Sequence, residues 1–334
     1  MKIIKIKTSD LKEITLFLIN KKIIFHPIIS PEGYPDFTGY ENKNHILIID
    51  RNLLVRILRL ANNGSLKDEY SLKIVSSLLA WSEFNGITIT AGIALIEYSF
   101  FNKGNIESNI ENNIFLEIFN KYNTSDWLDL AMGRSNSIAQ IKSKSKFEND
   151  FFIESDHFKM HYLEMLKISQ LYFNHNITIE DKFKIFYKWN YENILICKYT
   201  TFYALLVFGE KSKTFRNVKN SFEKINKICT NQAWDLTYLS FWSTLYYNEN
   251  ESNDIFLFAT EDKELKELFI LTHKDSFDIY LKIFGLKVGN NIIEHIKRIH
   301  LPRKQPQINS INLDEMIKIE KQNLEQVLSN LTMA

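Results

Sequence analysis

Cysteine, proline and glycine are scarce in this chain of 334 residues, with two, five and ten of each. The two cysteines, Cys197 and Cys229, stand far apart and without metal-ligand spacing. That excludes a disulfide scaffold, fits a reducing compartment and leaves both as core residues. The shortage of glycine and proline, beside an excess of Asn, Lys and Ile, reflects nucleotide bias in the gene more than physics. No charge of one sign dominates. With a formal net charge of +1, no global field argues for nucleic acid, membrane or acidic partners, and any basic surface must be local. No apolar run is long enough to span a bilayer, since "ILICKYTTFYALLVFG" (Ile194–Gly209) is short and carries Lys198. The opening "MKIIKIKTSDLKE" turns polar too soon for the apolar core of a signal peptide. These absences predict a soluble, cytoplasmic protein. What is present suffices for a large core: 45% of residues are hydrophobic and 24% charged, in a length fit for one large domain or two ordinary ones.

Residues 1–44 read as an N-terminal extension: an alternating strand (KIIKIK), a helix over Ser9–Asn20 and a loop bearing Pro and Gly. The run "HILIID" then has the unbroken apolar pattern of a strand covered on both faces. Helical spacing follows in "NLLVRILRLA" and "SLKIVSSLLAWSEF", and "ITITAGIALIEYSFF" reads as a short strand entering a helix. From Asn102 to Lys227 the chain is largely helical, with Ser125, Ser155 and Thr178 as expected N-caps and a lysine-rich loop at "AQIKSKSKFEND". A helix ("NQAWDLTYLSFWSTLYY"), a strand running into a helix ("NDIFLFATEDKELKELFIL") and two more helices come next. A Pro-punctuated linker leads to a terminal amphipathic helix, whose expected stripe is Met316, Ile317, Leu324, Val327 and Leu331. That stripe should pack on the body of the protein or on a second copy, with the former favoured.

In "HILIIDRNLL" an acid, Asp50, ends an apolar strand. A turn or helix cap accounts for one such residue, but the pattern recurs where "IFLFATEDKEL" ends at Thr260-Glu261-Asp262. Between the two strands lie Glu97 and Asp235, each on an otherwise apolar helical segment, where an unpaired ionised carboxylate is costly. The carboxyl ends of parallel strands share one edge, where open α/β sheets carry their sites. Mg²⁺ and Mn²⁺ prefer hard oxygen ligands, and a carboxylate set without His or Cys suits them.

Taken in order, these residues resemble the PIN-domain nucleases. Asp50 with Asn52 (IIDRN) matches that family's first element and Glu97 (ITAGIALIEYS) its second. Asp235 (QAWDLTYLSFW) matches the third, and Thr260 with Asp262 (FLFATEDKEL) the fourth. The resemblance covers His45–Phe101 and Asn226–Phe269, less than half the chain, and it has two departures. Arg51 stands where a small residue is usual, and the long interval from Glu97 to Asp235 requires a helical insertion of roughly a hundred residues.

The resemblance implies an α/β fold: a three-layer PIN-like core with a mostly parallel central sheet and a large all-helical insertion. The corresponding segments are the core at 45–101 and 226–300, the insertion at 102–225, and a linker with the terminal helix at 301–334. It implies metal-dependent cleavage of RNA, favoured over DNA, by a toxin or defence effector, with a regulatory protein or a second copy as further partners and no membrane. Asp50, Asp235 and Asp262 would bind Mg²⁺ or Mn²⁺ directly or through water. Glu97 would hold a metal-bound water or a second ion, and Asn52 and Thr260 would orient carboxylates or meet the scissile phosphate.

Arg51 and the cluster Lys211, Lys213, Arg216 and Lys219 are candidates for the phosphate backbone, with Lys297, Arg298, Arg303 and Lys304 as the other local cluster. Either can equally be a solvated face. His157 and His161 are spaced for a shared zinc, yet Phe158 replaces the glutamate such a motif requires, so both are expected as surface or half-buried residues. A non-catalytic helical interaction protein on a degenerate PIN-like core is the alternative from another class.

Overall fold

The computed structural model describes residues 6–142, 146–216, 218, 221–249, 253–273, 277–299 and 312–333. The chain is α/β and mostly helical, with fourteen helices and one four-stranded sheet among the described residues. It clusters into two compact units: Met1–Glu154 with Trp242–Asp262, and Ser155–Phe241 with Lys263–Ala334. Residues 102–154 of the stretch read as an insertion thus fall in the first unit and 155–225 in the second.

The first unit holds α1 (Thr8–Lys21), β1 (Ile24–Phe25), β2 (Asn44–Ile49), α2 (Arg51–Asn63), α3 (Glu69–Phe84), β3 (Thr88–Thr90), α4 (Gly92–Asn102), α5 (Ile106–Lys121) and α6 (Thr124–Ala131). The second holds α7 (Asp156–Phe173), α8 (Ile179–Asn193), α9 (Lys198–Phe208) and the greater part of α10 (Phe222–Tyr247). The chain returns to the first unit for β4 (Asp254–Ala259), and to the second for α11 (Lys263–His273), α12 (Asp278–Phe284), α13 (Leu286–Ile299) and α14 (Leu313–Met333).

The sheet order is β1-β4-β2-β3, with β2 parallel to both β3 and β4 and β1 antiparallel on the edge. Leu47, Ile48 and Ile49 of β2 and Leu257, Phe258 and Ala259 of β4 are all buried, so consecutive side chains on both faces are covered. That is why these strands read as unbroken apolar runs rather than alternating ones. The alternating stretch KIIKIK lies largely outside the described residues, and its Ile6 and Lys7 are not in a strand. The antiparallel edge is instead Ile24–Phe25, too short to give a period. His26, which follows it, is fully buried. Its Nδ1 accepts from the amides of Ile28 and Ile29 (3.2 and 3.1 Å), and its Nε2 lies 3.2 Å from both oxygens of Glu249.

Local chemistry sets the helix ends. Ser155 and Thr178 cap α7 and α8 as expected, accepting from Phe158 N and Asp181 N. Ser125 does not cap α6. Asn123 does, in a capping box with Asp126: its Oδ1 accepts from the Ser125 amide (3.0 Å) while Asp126 accepts from Asn123 N (2.9 Å), and Ser125 lies inside the first turn. The two helical segments expected on either side of Cys229 are one helix of 26 residues, since no Gly or Pro interrupts them.

The terminal helix packs on α7. Leu324 and Leu328 are buried, while Met316, Ile317, Val327 and Leu331 are half-buried. The stripe also carries Glu320, which is buried and pairs with Lys167 at 3.4 Å. Truncation ahead of α14 should therefore lower stability by about 4 kcal/mol, the worth of two buried leucines. A urea midpoint equal to that of the full chain would show that α14 contributes nothing.

Candidate active site at the carboxyl ends of two parallel strands

Asp50 extends β2 by one residue, its amide donating to Ala259 O at 3.1 Å. Thr260 extends β4 likewise, donating from its amide to Ile23 O at 3.1 Å. Two adjacent parallel strands thus deliver Asp50 and Thr260 to the same edge. The Thr260 hydroxyl donates to Asp50 Oδ2 at 2.6 Å and accepts from the Asp262 amide at 3.0 Å. Asp50 Oδ1 accepts from Leu53 N at 2.8 Å, which makes Asp50 the N-cap of α2 as well. The cap and the corner of a site are one residue here.

Asp50 is 2% exposed, and burial is the first cause that pushes its carboxyl up to about 6. The Thr260 hydroxyl and Leu53 amide oppose this, the Asp262 charge adds to it, and the Arg56 guanidinium opposes it again. At neutral pH such a carboxyl is largely ionised, so the fold holds a buried negative charge close to a second carboxylate. Arg56 also pairs with Glu261, between Thr260 and Asp262. Asp262 and Glu97 (on α4) are half-buried in the same unit. Among the described residues, no group of three or more His, Cys, Asp or Glu is gathered closely enough to hold a metal ion.

Asp235 belongs to the second unit. It lies mid-way along α10 rather than near a helix start, so the macrodipole gives it no support. Gln232 Nε2 donates to its Oδ2 at 3.0 Å, and Tyr203 OH donates to Gln232 Oε1 at 2.7 Å. Tyr203 also meets Thr214 Oγ1 at 2.6 Å. Burial first, then the charges of Glu264 and Asp235, pushes the Tyr203 phenol well above its usual range.

Glu264 accepts from Ser212 Oγ (3.2 Å), Lys213 N and Thr214 Oγ1 (both 3.4 Å), and so fixes the basic segment. Lys211, Lys213 and Arg216 are exposed there, with Arg216 also donating to Glu210 O. Lys219 lies outside the described residues, as do Arg303 and Lys304. Asn52 is exposed on the first turn of α2. Arg51 is engaged, with Nη2 2.9 Å from Glu111 Oε1 and its guanidinium 4.0 Å over the Tyr98 ring.

Sequence reading missed two features. Beside α2 a cleft of about 420 Å³ is lined by Arg56, Arg59, Lys67 and Asp68 among others. Its cations come from one helix and the following loop, so no run of basic residues marks it. In the second unit, His161 is fully buried, not half-buried as expected. Its Nε2 lies 2.8 Å from Ser240 Oγ and its Nδ1 2.8 Å from Glu164 Oε2. His157, half-buried, also reaches Ser240 Oγ at 3.2 Å. Glu164, an acid among apolar residues of α7, was the available signal.

Comparison with protein-family models, with curated proteins and with solved structures finds no match. No helix among the described residues is long and apolar enough to cross a membrane.

Proposed function

We propose that this chain is a metal-dependent nuclease of PIN-like type, cleaving RNA in preference to DNA. Its site is centred on Asp50 and Asp262. The observation that carries the reading is the Asp50–Thr260–Asp262 arrangement at the ends of β2 and β4, where the Thr260 hydroxyl bonds both the Asp50 carboxylate and the Asp262 main-chain amide. The three-layer PIN-like core is part of the same proposal. Mg²⁺ is commonly held by one or two carboxylates plus waters and substrate phosphates, so a pair of acids meets its needs. Such an ion, when bound, supplies Lewis acidity and an activated water for attack at phosphorus. The chain's own residues do the rest. Thr260 holds Asp50 in one rotamer, and the α2 N-terminus favours the anion. Arg59 and Lys67, exposed in the cleft that includes Arg56, offer positive charge to a polyanion.

A second reading, a non-catalytic interaction protein on the same core, is favoured by the absence of a three-membered metal group among the described residues. One assay separates the two. The purified full chain is incubated with mixed-sequence RNA, single-stranded DNA and duplex DNA, in Mg²⁺, Mn²⁺ or EDTA. RNA cleavage that needs a metal and stops with EDTA is expected. Cleavage of DNA alone would move the substrate assignment, and intact polymers under every condition would leave the non-catalytic reading.

A further inference from the structure

Asn105, Asn109 and Asn113 stand at four-residue intervals on α5 and its N-cap, and they hold the main chain of residues 147–152. Asn113 Nδ2 donates to Phe147 O at 3.1 Å, and its Oδ1 accepts from Phe147 N at 3.0 Å. Asn109 does the same for Asn149, at 2.9 and 2.8 Å. Asn105 Oδ1 accepts from Phe151 N at 2.8 Å and from Phe152 N at 2.5 Å, which ends the alternation at residue 151, and its Nδ2 donates to Asp150 Oδ1 at 2.9 Å. Four helical residues advance about 6 Å and two extended residues about 6.6 Å, so the amides meet every second residue. The Asn109 and Asn113 amides also bond to the carbonyl four residues back, which fixes their orientation.

An extended segment paired through residues 147, 149 and 151 turns the N–H and C=O of residues 148 and 150 to its other edge. Those groups of Glu148 and Asp150 have no partner among the described residues. Such an edge is a template for another extended chain. The side chains say which chain. Glu148, Asp150 and Glu154 are exposed acids, and Lys146 is the single cation of residues 146–154. Phe147, Phe152 and Ile153 are each at least half exposed. Ile106 (73% exposed) and Ile110 (55%) line a cleft of about 570 Å³ beside the segment. A second copy fits badly, because antiparallel self-pairing centred on Asn149 sets Glu148 opposite an acid at 150.

We propose that the outer edge of residues 147–151 docks an extended peptide of a partner protein in which cationic and apolar residues alternate. The assay is fluorescence anisotropy of a labelled KVKVKVK peptide on the full chain. The peptide is compared with EVEVEVE and with a KVKVKVK analogue N-methylated at alternate residues. Glu148→Pro removes an outer-edge N–H and leaves the asparagine pairs at 147, 149 and 151 untouched, while the residue before a proline favours an extended backbone. Glu148→Gln controls for charge.

KVKVKVK should bind, and the N-methylated analogue and the proline variant should each weaken binding about tenfold, the loss of one or two net hydrogen bonds. The glutamine variant should change it by less than about threefold, a surface charge being worth that little. No binding, equal binding of EVEVEVE, or equal binding of the methylated peptide would overturn the proposal. So would a dimer in sedimentation that Glu148→Pro dissociates. If the proline variant fails to fold, judged by its circular dichroism melt, the methylated peptide on the wild-type chain decides.

Discussion

Asp50→Asn should abolish metal-dependent cleavage and at the same time raise the melting temperature near pH 8. The two effects have opposite signs because the residue stands against the fold that holds it. Its carboxyl has a usual value of 3.8 and is pushed to about 6 in the folded chain, chiefly by burial. Between those values the folded protein keeps a proton that the unfolded chain has released. Stability therefore falls as pH rises through this window and stays lower above it. A rise of that size corresponds to about 3 kcal/mol at neutral pH, to order of magnitude. Asparagine carries no charge, and its side-chain oxygen still caps α2 almost as well as aspartate does. The gain should shrink as pH falls below about 6, where the folded wild-type chain takes up its proton and the buried charge is removed.

Mg²⁺ supplies an independent readout. It should raise the wild-type midpoint at pH 8 by binding the folded state alone, and leave the Asp50→Asn variant unmoved. Melts of both proteins at pH 4 and pH 8, with and without Mg²⁺, check all of this. A variant less stable than wild type at pH 8, or one that keeps its cleavage, would place the active site elsewhere.

Asp50 was legible because several local signals agree. An apolar run ends at an acid, and leucines at helical spacing begin at once, so a strand must pass its last residue to a helix start. The second strand-to-acid junction, at Thr260 and Asp262, was legible for the same reason. The setting of Asp235 was not. The residues between Lys224 and Trp234 contain nothing that stops a helix, so an expected start became the middle of α10. The Arg56–Glu261 pair joins residues far apart in sequence, and its cleft mixes one helix face with a loop. The role of the α5 asparagines was not legible either, because nothing in their spacing tells solvent from a bound main chain. Residues 24–25 form a strand only because β4 is there to pair with them.

Glu164→Ala should be the most destabilising single substitution in the second unit, at about 3–5 kcal/mol, the usual cost of removing one partner from a buried charged network. Glu164 is completely buried on α7. Asn190 Nδ2 donates to its Oε1 at 2.7 Å, and the Thr200 hydroxyl donates to its Oε2 at 2.7 Å. His161 Nδ1 lies 2.8 Å from the same Oε2. Truncation strands these donors in the core, whereas Glu164→Gln keeps an acceptor oxygen and should cost less. Urea unfolding of the two variants gives the difference directly.

The sequence of contacts from Ser240 Oγ to His161 Nε2, and from His161 Nδ1 to Glu164, also has the order of a nucleophile relay. Burial argues against that use. His161 and Glu164 are 0% exposed and Ser240 is 6% exposed, so a substrate carbonyl has no approach. The Ser240 hydroxyl also turns back to the Thr237 carbonyl at 3.3 Å, as helix serines in cores do. A fluorophosphonate probe should therefore leave Ser240 unlabelled in the folded chain, and Ser240→Ala should alter stability without altering cleavage per folded molecule. Labelling of Ser240 would make this network a second reactive site rather than the polar centre of a helical core.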